Sequence, residues 1–135
     1  MITTYFADTN FYLRFFLQDV MSQATKTKKL LKKVRDKNII IIFLPEVILE
    51  MVFVLESFYK APRSDIAEKL TTLIKTEYLN IQHRSLWIKA FEIFEKSAVS
   101  MFDIYLFLRA KDDNSKILSY DKDFVKLNRI IKTTT

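Results

Sequence analysis

Not one glycine occurs among the 135 residues, and that absence constrains the fold more than any motif present. Glycine enters the left-handed backbone region without steric penalty; among the other residues Asn and Asp tolerate it best. Tight turns are therefore expected at Asn38, which closes "RDKN", and around Asn114 in "KDDNS". A chain without glycine also has no P-loop, no GxGxxG dinucleotide turn and no GxSxG nucleophile elbow. Cysteine is missing too, which removes disulfides, thiolate catalysis and zinc–thiolate sites and fits a reducing cytoplasm.

Stability must then come from apolar packing. Half of the residues are hydrophobic and 14% aromatic, and a single domain over residues 1–135 is expected to bury roughly two-thirds of its unfolded surface. The N-terminus has neither a basic n-region nor a small-residue cleavage site, so no signal peptide is expected. The longest apolar run, "IIIIFLP", is far too short to span a membrane. The formal charge of +6 favours polyanionic partners.

Strand and helix patterns alternate along the chain. Residues 2–7 read as a strand and 10–19 as a helix. "TKTKKLLKKVRDK" places Leu30, Leu31 and Val34 on one side of a helix whose outer face is basic. "IIIIF" is apolar on both parities, as a strand buried on both faces should be. Pro45 suits the first turn of a helix running to about Tyr59, and Ser64 or Asp65 is expected to cap the next one. "YLNIQ" is a short strand or a link. Two further helices follow, over "RSLWIKAFEIFEKS" and "SMFDIYLFLRAK". "KILS" reads as a strand, "DKDFVKL" as a helical turn and "RIIK" as a final edge strand. Such alternation predicts an α/β fold with a parallel sheet, whose functional crevice lies beyond the C-terminal strand ends.

Four acids stand where a core sequence has no need of them. Asp8 interrupts "YFADTNFYLRFF" at the end of the first strand, and reads as a helix N-cap or as a ligand. Glu50 is the one polar residue of "VILEMVFVL". In a buried helix it must meet a cation, a metal or a wet pocket, because an unpaired buried charge costs several kcal/mol. Glu46 is more ordinary, an acid in a first turn. Asp103 completes an S-x-x-[DE] capping box with Ser100. Asp121 follows "KILS" and is able to cap a helix with Asp123 in its first turn. Each acid has a local explanation, yet two lie beyond strand ends and two on otherwise apolar helices. That coincidence argues for a shared pocket.

Four segments carry a likeness across nearly the whole chain: "ADTNFYLRFF", "LPEVILEMVFVLESFY", "SMFDIYLFLRAK" with Ala110 as its later small residue, and "ILSYDKDF". In this order they resemble the PIN-domain family, specifically its VapC-type toxin ribonucleases. Two departures stand out: "DDNSK" replaces a glycine-containing turn, and Ser119 replaces a threonine while keeping its hydroxyl. The resemblance implies a three-layer α/β/α fold with a central, mainly parallel sheet. It also implies a metal-dependent endoribonuclease, commonly a homodimer, inhibited by a cognate antitoxin protein. Asp8, Glu50, Asp103 and Asp121 become the catalytic, metal-holding acids. Asp8 and Asp103 take the inner contacts, Glu50 and Asp121 hold metal-bound waters or a second ion, and Asp123 gives outer support. Asn10 and Ser119 orient these carboxylates by hydrogen bonds. Carboxylate oxygens without His or Cys select Mg²⁺ or Mn²⁺. Such an ion polarises the scissile phosphate and activates a water for in-line attack, leaving 5′-phosphate and 3′-hydroxyl ends.

Arg14, Arg109 and Lys122 lie nearest these acids in sequence and are candidates for gripping RNA phosphate, or else for neutralising the acids. Lys26, Lys28, Lys29, Lys32, Lys33 and Arg35 form a face able to hold phosphates non-specifically, or simply a solvated one. His83, the one histidine, reads as an ordinary residue at a helix start. The aromatics Phe15, Phe16, Phe53, Phe58, Tyr59 and Trp87 are expected mostly in the core, with some left for a dimer interface or an antitoxin groove. Two other readings stay open. One is a catalytically inactive PIN-like RNA-binding or assembly module. The other is a phosphoacceptor or phosphohydrolase with Asp8 as nucleophile, which an acyl-phosphate would reveal.

Overall fold

The computed structural model describes residues 2–17 and 20–134, with side chains through Ile130. The expected helix end at Gln18 and Asp19 lies outside the described residues. Two compact units make up the chain, Met1–Gln82 and His83–Thr135.

The first unit is built on a parallel sheet. Strand β1 (Thr3–Phe6) is followed by helices α1 (Thr9–Leu17) and α2 (Met21–Arg35), then strand β2 (Ile39–Phe43). Helices α3 (Pro45–Ser57) and α4 (Arg63–Ile74) lead to the two-residue strand β3 (Asn80–Ile81). The strand order is β1-β2-β3, with Thr3 opposite Ile39, Phe6 opposite Ile42 and Phe43 opposite Ile81. Parallel neighbours need crossovers, and the helix pairs α1–α2 and α3–α4 supply them. The link "YLNIQ" is thus a strand, though a minimal one.

Strand β2 is less enclosed than its sequence predicts. Ile41 and Phe43 are buried, but Ile40 on the other parity is 38% exposed. The Tyr12 ring of α1 stacks on Phe43 with centroids 4.0 Å apart. Its hydroxyl is buried, with no hydrogen-bond partner among the described residues, and desolvation pushes its pKa upward. Helix α2 buries Ala24, Thr27, Leu31 and Val34, the spacing of a single helical stripe. Thr27 Oγ1 donates to the Phe11 carbonyl at 3.3 Å and ties α2 to α1.

Pro45 opens α3 as expected. The cap of α4 is a correction: Pro62, not Ser64 or Asp65, is the N-cap. Its ring fixes φ while its ψ of 147° is extended, so the helix starts immediately after it. Asp65 falls in the first turn, where it complements the helix dipole. Arg63 Nη1 donates to Glu56 Oε1 at 3.0 Å and joins α4 to α3.

The second unit is helical: α5 (Arg84–Lys96), α6 (Met101–Asp112) and α7 (Asp123–Thr134). Helix α5 buries Leu86, Trp87, Ala90, Phe91 and Phe94, the face its periodicity predicts, together with Ile93. Trp87 is fully buried and stacks on Tyr105 of α6, centroids 4.4 Å apart and planes within 4°.

Two expectations fail here. "KILS" forms no strand; it lies in irregular backbone at residues 115–119, with Leu118 fully exposed. "RIIK" is not an edge strand but part of α7. Short apolar runs do not separate strand from helix by periodicity, and fully buried Leu127, three residues after Phe124, continues the helical spacing through this segment.

The lack of glycine has a visible consequence. Lys37, Lys60, His83 and Asn114 all take positive φ. Asn114 is where the sequence predicts; at the other expected turn Lys37 takes the conformation in place of Asn38. Each residue bearing a Cβ there carries a cost of roughly 1–2 kcal/mol. His83 is the left-handed residue before α5, in keeping with its reading as a helix-start residue. The parallel three-stranded sheet and seven helices among the described residues fit the three-layer α/β/α class predicted. No described helix is long and apolar enough to cross a membrane.

Candidate active site

The second unit gathers three acids. Asp103 sits in the first turn of α6, where its backbone N–H donates to Ser100 Oγ at 3.2 Å. Ser100 is therefore the cap that the capping-box spacing predicts. Asp121 precedes α7: its N–H donates to Ser119 Oγ at 2.9 Å, and its own Oδ1 accepts from the Asp123 N–H at 2.9 Å. These two bonds make a compact turn that presents both carboxylates. Ligand oxygens of Asp103, Asp121 and Asp123 all lie within 4.8 Å of one another.

Three carboxylates at that separation repel, by about 1 kcal/mol per pair even in water. Lys126 Nζ, 3.7 Å from Asp123 Oδ1, offsets part of this. The donor set fits a small hard cation. Mg²⁺ takes oxygen ligands at about 2.0–2.1 Å, so opposite ligands stand about 4 Å apart, close to the spacing observed. Asp121 is exposed while Asp103 and Asp123 are half-buried, which leaves room for water and substrate oxygens. Asp123, expected as outer support, stands level with the other two. The signal in the sequence is the Asp-x-Asp spacing, which allows one turn to aim two carboxylates the same way.

The first unit holds Asp8 and Glu50. Asp8 lies two residues beyond β1, at the C-terminal strand end, and its Oδ1 accepts from the Phe11 N–H at 3.1 Å. It thus caps α1 while its other oxygen stays open, and the residue is exposed. Asn10, in the first turn of α1, is exposed as well.

The burial argument for Glu50 is overturned. Glu50 is exposed, on a stripe with Glu46, Phe53 and Ser57. This outward stripe holds three of the helix's polar residues, Glu46, Glu50 and Ser57, with Phe53, 67% exposed, among them. Composition alone therefore mistook this solvent-facing stripe for the interior.

The predicted phosphate-gripping cations have local partners to different degrees. Arg109 Nη1 donates to Tyr105 Oη at 2.7 Å, and its guanidinium lies 5.6 Å from that ring's centroid. Arg14 is half-buried in the last turn of α1. Lys122, between Asp121 and Asp123, is exposed.

Residues 5–130 match the family model of the PIN domain. A VapC ribonuclease from Aquifex aeolicus (strain VF5) is 32% identical over 88 residues, covering 64% of this chain and 65% of that protein. The alignment thus spans a little under two-thirds of the relative's length. No solved structure gives a significant match. The family match takes in all four sequence segments that carry the acids, and the chain belongs to the PIN-domain family.

Proposed function

We propose that this chain is a Mg²⁺- or Mn²⁺-dependent endoribonuclease, the toxin of a toxin–antitoxin pair acting in the cytoplasm. The observation that carries the reading is the trio Asp103, Asp121 and Asp123, whose oxygens lie within 4.8 Å of one another in a member of the PIN family. The name of the Aquifex relative, a VapC ribonuclease, supports the substrate class. Asp103 and Asp121 would hold the ion with Asp8 and Glu50, and Asp123 would complete its surroundings. When bound, the ion would supply Lewis-acid stabilisation of the phosphate and a more acidic water.

The chain's own residues prepare that chemistry. Ser119 and Ser100 fix the backbone beneath Asp121 and Asp103, so these carboxylates are held before substrate arrives. Lys122 and Arg14 would meet the phosphates flanking the cut bond, and Arg109 would join them by leaving Tyr105. A homodimer and an antitoxin belong to the same reading. The exposed rings of Phe53 and Phe58, 67% and 77% accessible, are apolar surface that a protein partner would cover.

The test is cleavage of total and transfer RNA by purified protein with Mn²⁺, Mg²⁺ or EDTA, alongside Asp8→Asn. Cutting that needs the metal, and that falls about 100-fold or more in the folded variant, is expected. Cutting that persists in EDTA would overturn the metal dependence, and no cutting in any condition would replace this reading with that of a binding module.

A further inference from the structure

The second unit carries a cavity of about 340 Å³ formed by the end of α5, the link from α5 to α6 and one side of α7. Every residue lining it belongs to that unit. Its size falls within the range of small-molecule pockets, roughly 300–1,000 Å³. Three cations and a single acid line it. Lys96 comes from the last turn of α5, while Lys126 and Arg129, three residues apart, share a face of α7. Lys126 is engaged with the acid, Asp123, at 3.7 Å. Lys96 and Arg129 have no ion pair among the described residues, and Glu92, one turn before Lys96, makes none with it. Like charges converging on a concavity make it electropositive.

The link adds a donor. Ser97 Oγ accepts from the Val99 N–H at 3.4 Å and gives its own proton to no described residue, so that proton is available to another acceptor. The rest of the wall is apolar, made by Ala98, Val99 and Ile130.

A guanidinium, two ammonium groups and a hydroxyl are a donor set for phosphate, with the planar fork of Arg129 able to bind two oxygens at once. Three cations against one acid leave two positive charges, which match a phosphate monoester above its second pKa of about 6. A bare phosphate ion would leave the apolar wall unused. We propose that this cavity binds a small phosphomonoester, its phosphate held by Lys96, Lys126, Arg129 and the Ser97 hydroxyl and its organic group against Val99 and Ile130. The site needs neither RNA nor a metal ion and so goes beyond the nuclease reading. Lys126 is then shared between the ligand and Asp123, which ties occupancy of the cavity to the charge balance of the acid trio.

The test is isothermal titration calorimetry of the full chain with adenosine 5′-monophosphate and, separately, with inorganic phosphate, in EDTA and above the second phosphate pKa. Wild type is compared with Lys96→Gln, Arg129→Gln and Arg129→Lys, and with Lys28→Gln/Lys32→Gln on α2 as a charge control, each checked for folding by circular dichroism. The nucleotide is expected to bind saturably, one per chain, and about fivefold or more tighter than inorganic phosphate because it also covers the apolar wall. Lys96→Gln and Arg129→Gln are each expected to weaken it about fivefold or more. Arg129→Lys, which keeps the charge but loses the fork, is expected to weaken it as well, and the α2 variant to bind as wild type does. No saturable binding, inorganic phosphate binding as tightly as the nucleotide, an unchanged Arg129→Gln, or an equal loss in the α2 variant would overturn the assignment. Because binding is read without metal or RNA, an inactive nuclease leaves this result intact, and the two ideas fail separately.

Discussion

Asp103→Asn and Asp121→Asn are each expected to lower metal-dependent RNA cleavage by about 100-fold or more while leaving the protein folded. Both substitutions keep shape and remove a charge. The cap of α6 survives in Asp103→Asn because the donor is the backbone N–H at that position, bonded to Ser100 Oγ. The turn before α7 survives in Asp121→Asn because an amide oxygen still accepts from the Asp123 N–H. Stability without metal is a balance of small terms. Asp103→Asn loses a favourable first-turn charge, about 0.3–1 kcal/mol. It also relieves repulsion from Asp121 and Asp123, about 1 kcal/mol per pair before salt screening. The variant should therefore unfold within about 1 kcal/mol of wild type in urea. Cleavage rates and urea midpoints together decide the matter. A variant that cuts normally, or one that is inactive because it is unfolded, goes against the assignment of these acids to the reaction.

Trp87→Ala is expected to destabilise the protein by about 3–5 kcal/mol. The indole is fully buried and lies flat on Tyr105, so its removal leaves a cavity between α5 and α6 that these helices cannot easily close. Its Nε1 has no partner among the described residues, so the loss is one of packing and not of hydrogen bonding. Trp87→Phe, which refills most of the volume, should cost markedly less. A loss of this size consumes much of a typical domain's stability of about 5–15 kcal/mol. Tyr105 also accepts the Arg109 bond at 2.7 Å, so under the proposed function the loss would reach a phosphate-binding candidate as well. Loosening the ring releases that guanidinium. Urea denaturation followed by near-ultraviolet circular dichroism reads the effect, and a cost below about 1.5 kcal/mol would contradict the packing described.

Where the sequence was legible, a single physical signal dominated. Four isoleucines before Phe43 have no better use than a strand, and β2 occupies that run. The apolar face of α5 follows from spacing alone. Capping chemistry located Ser100 and Asp8, because Ser and Asp side chains satisfy the first N–H groups of a helix wherever they precede one.

The misreadings share a cause as well. "KILS" and "RIIK" are short apolar runs, and nothing local in them distinguishes strand from helix or from irregular chain. Glu50 was read as buried from the composition of its neighbours, whereas exposure depends on which stripe of α3 lacks a covering element. The helical spacing of Glu46, Glu50 and Ser57 does mark that stripe, although Phe53 within it blurs the signal. The sequence groups Asp8, Glu50, Asp103 and Asp121 with Asp123 as support, and the structure brings Asp103, Asp121 and Asp123 together. Sequence shows that acids recur, while their distances depend on how the segment between α6 and α7 returns to the start of α6.

The most direct measurement is a Mn²⁺ titration followed by the electron paramagnetic resonance signal of the free ion, for wild type, Asp103→Asn and Asp121→Asn. Saturable binding by wild type, displaced by Mg²⁺ and weakened at least about tenfold in both variants, is the predicted result. Equal binding by all three proteins, or none by wild type, would contradict the claim that these carboxylates form a metal centre.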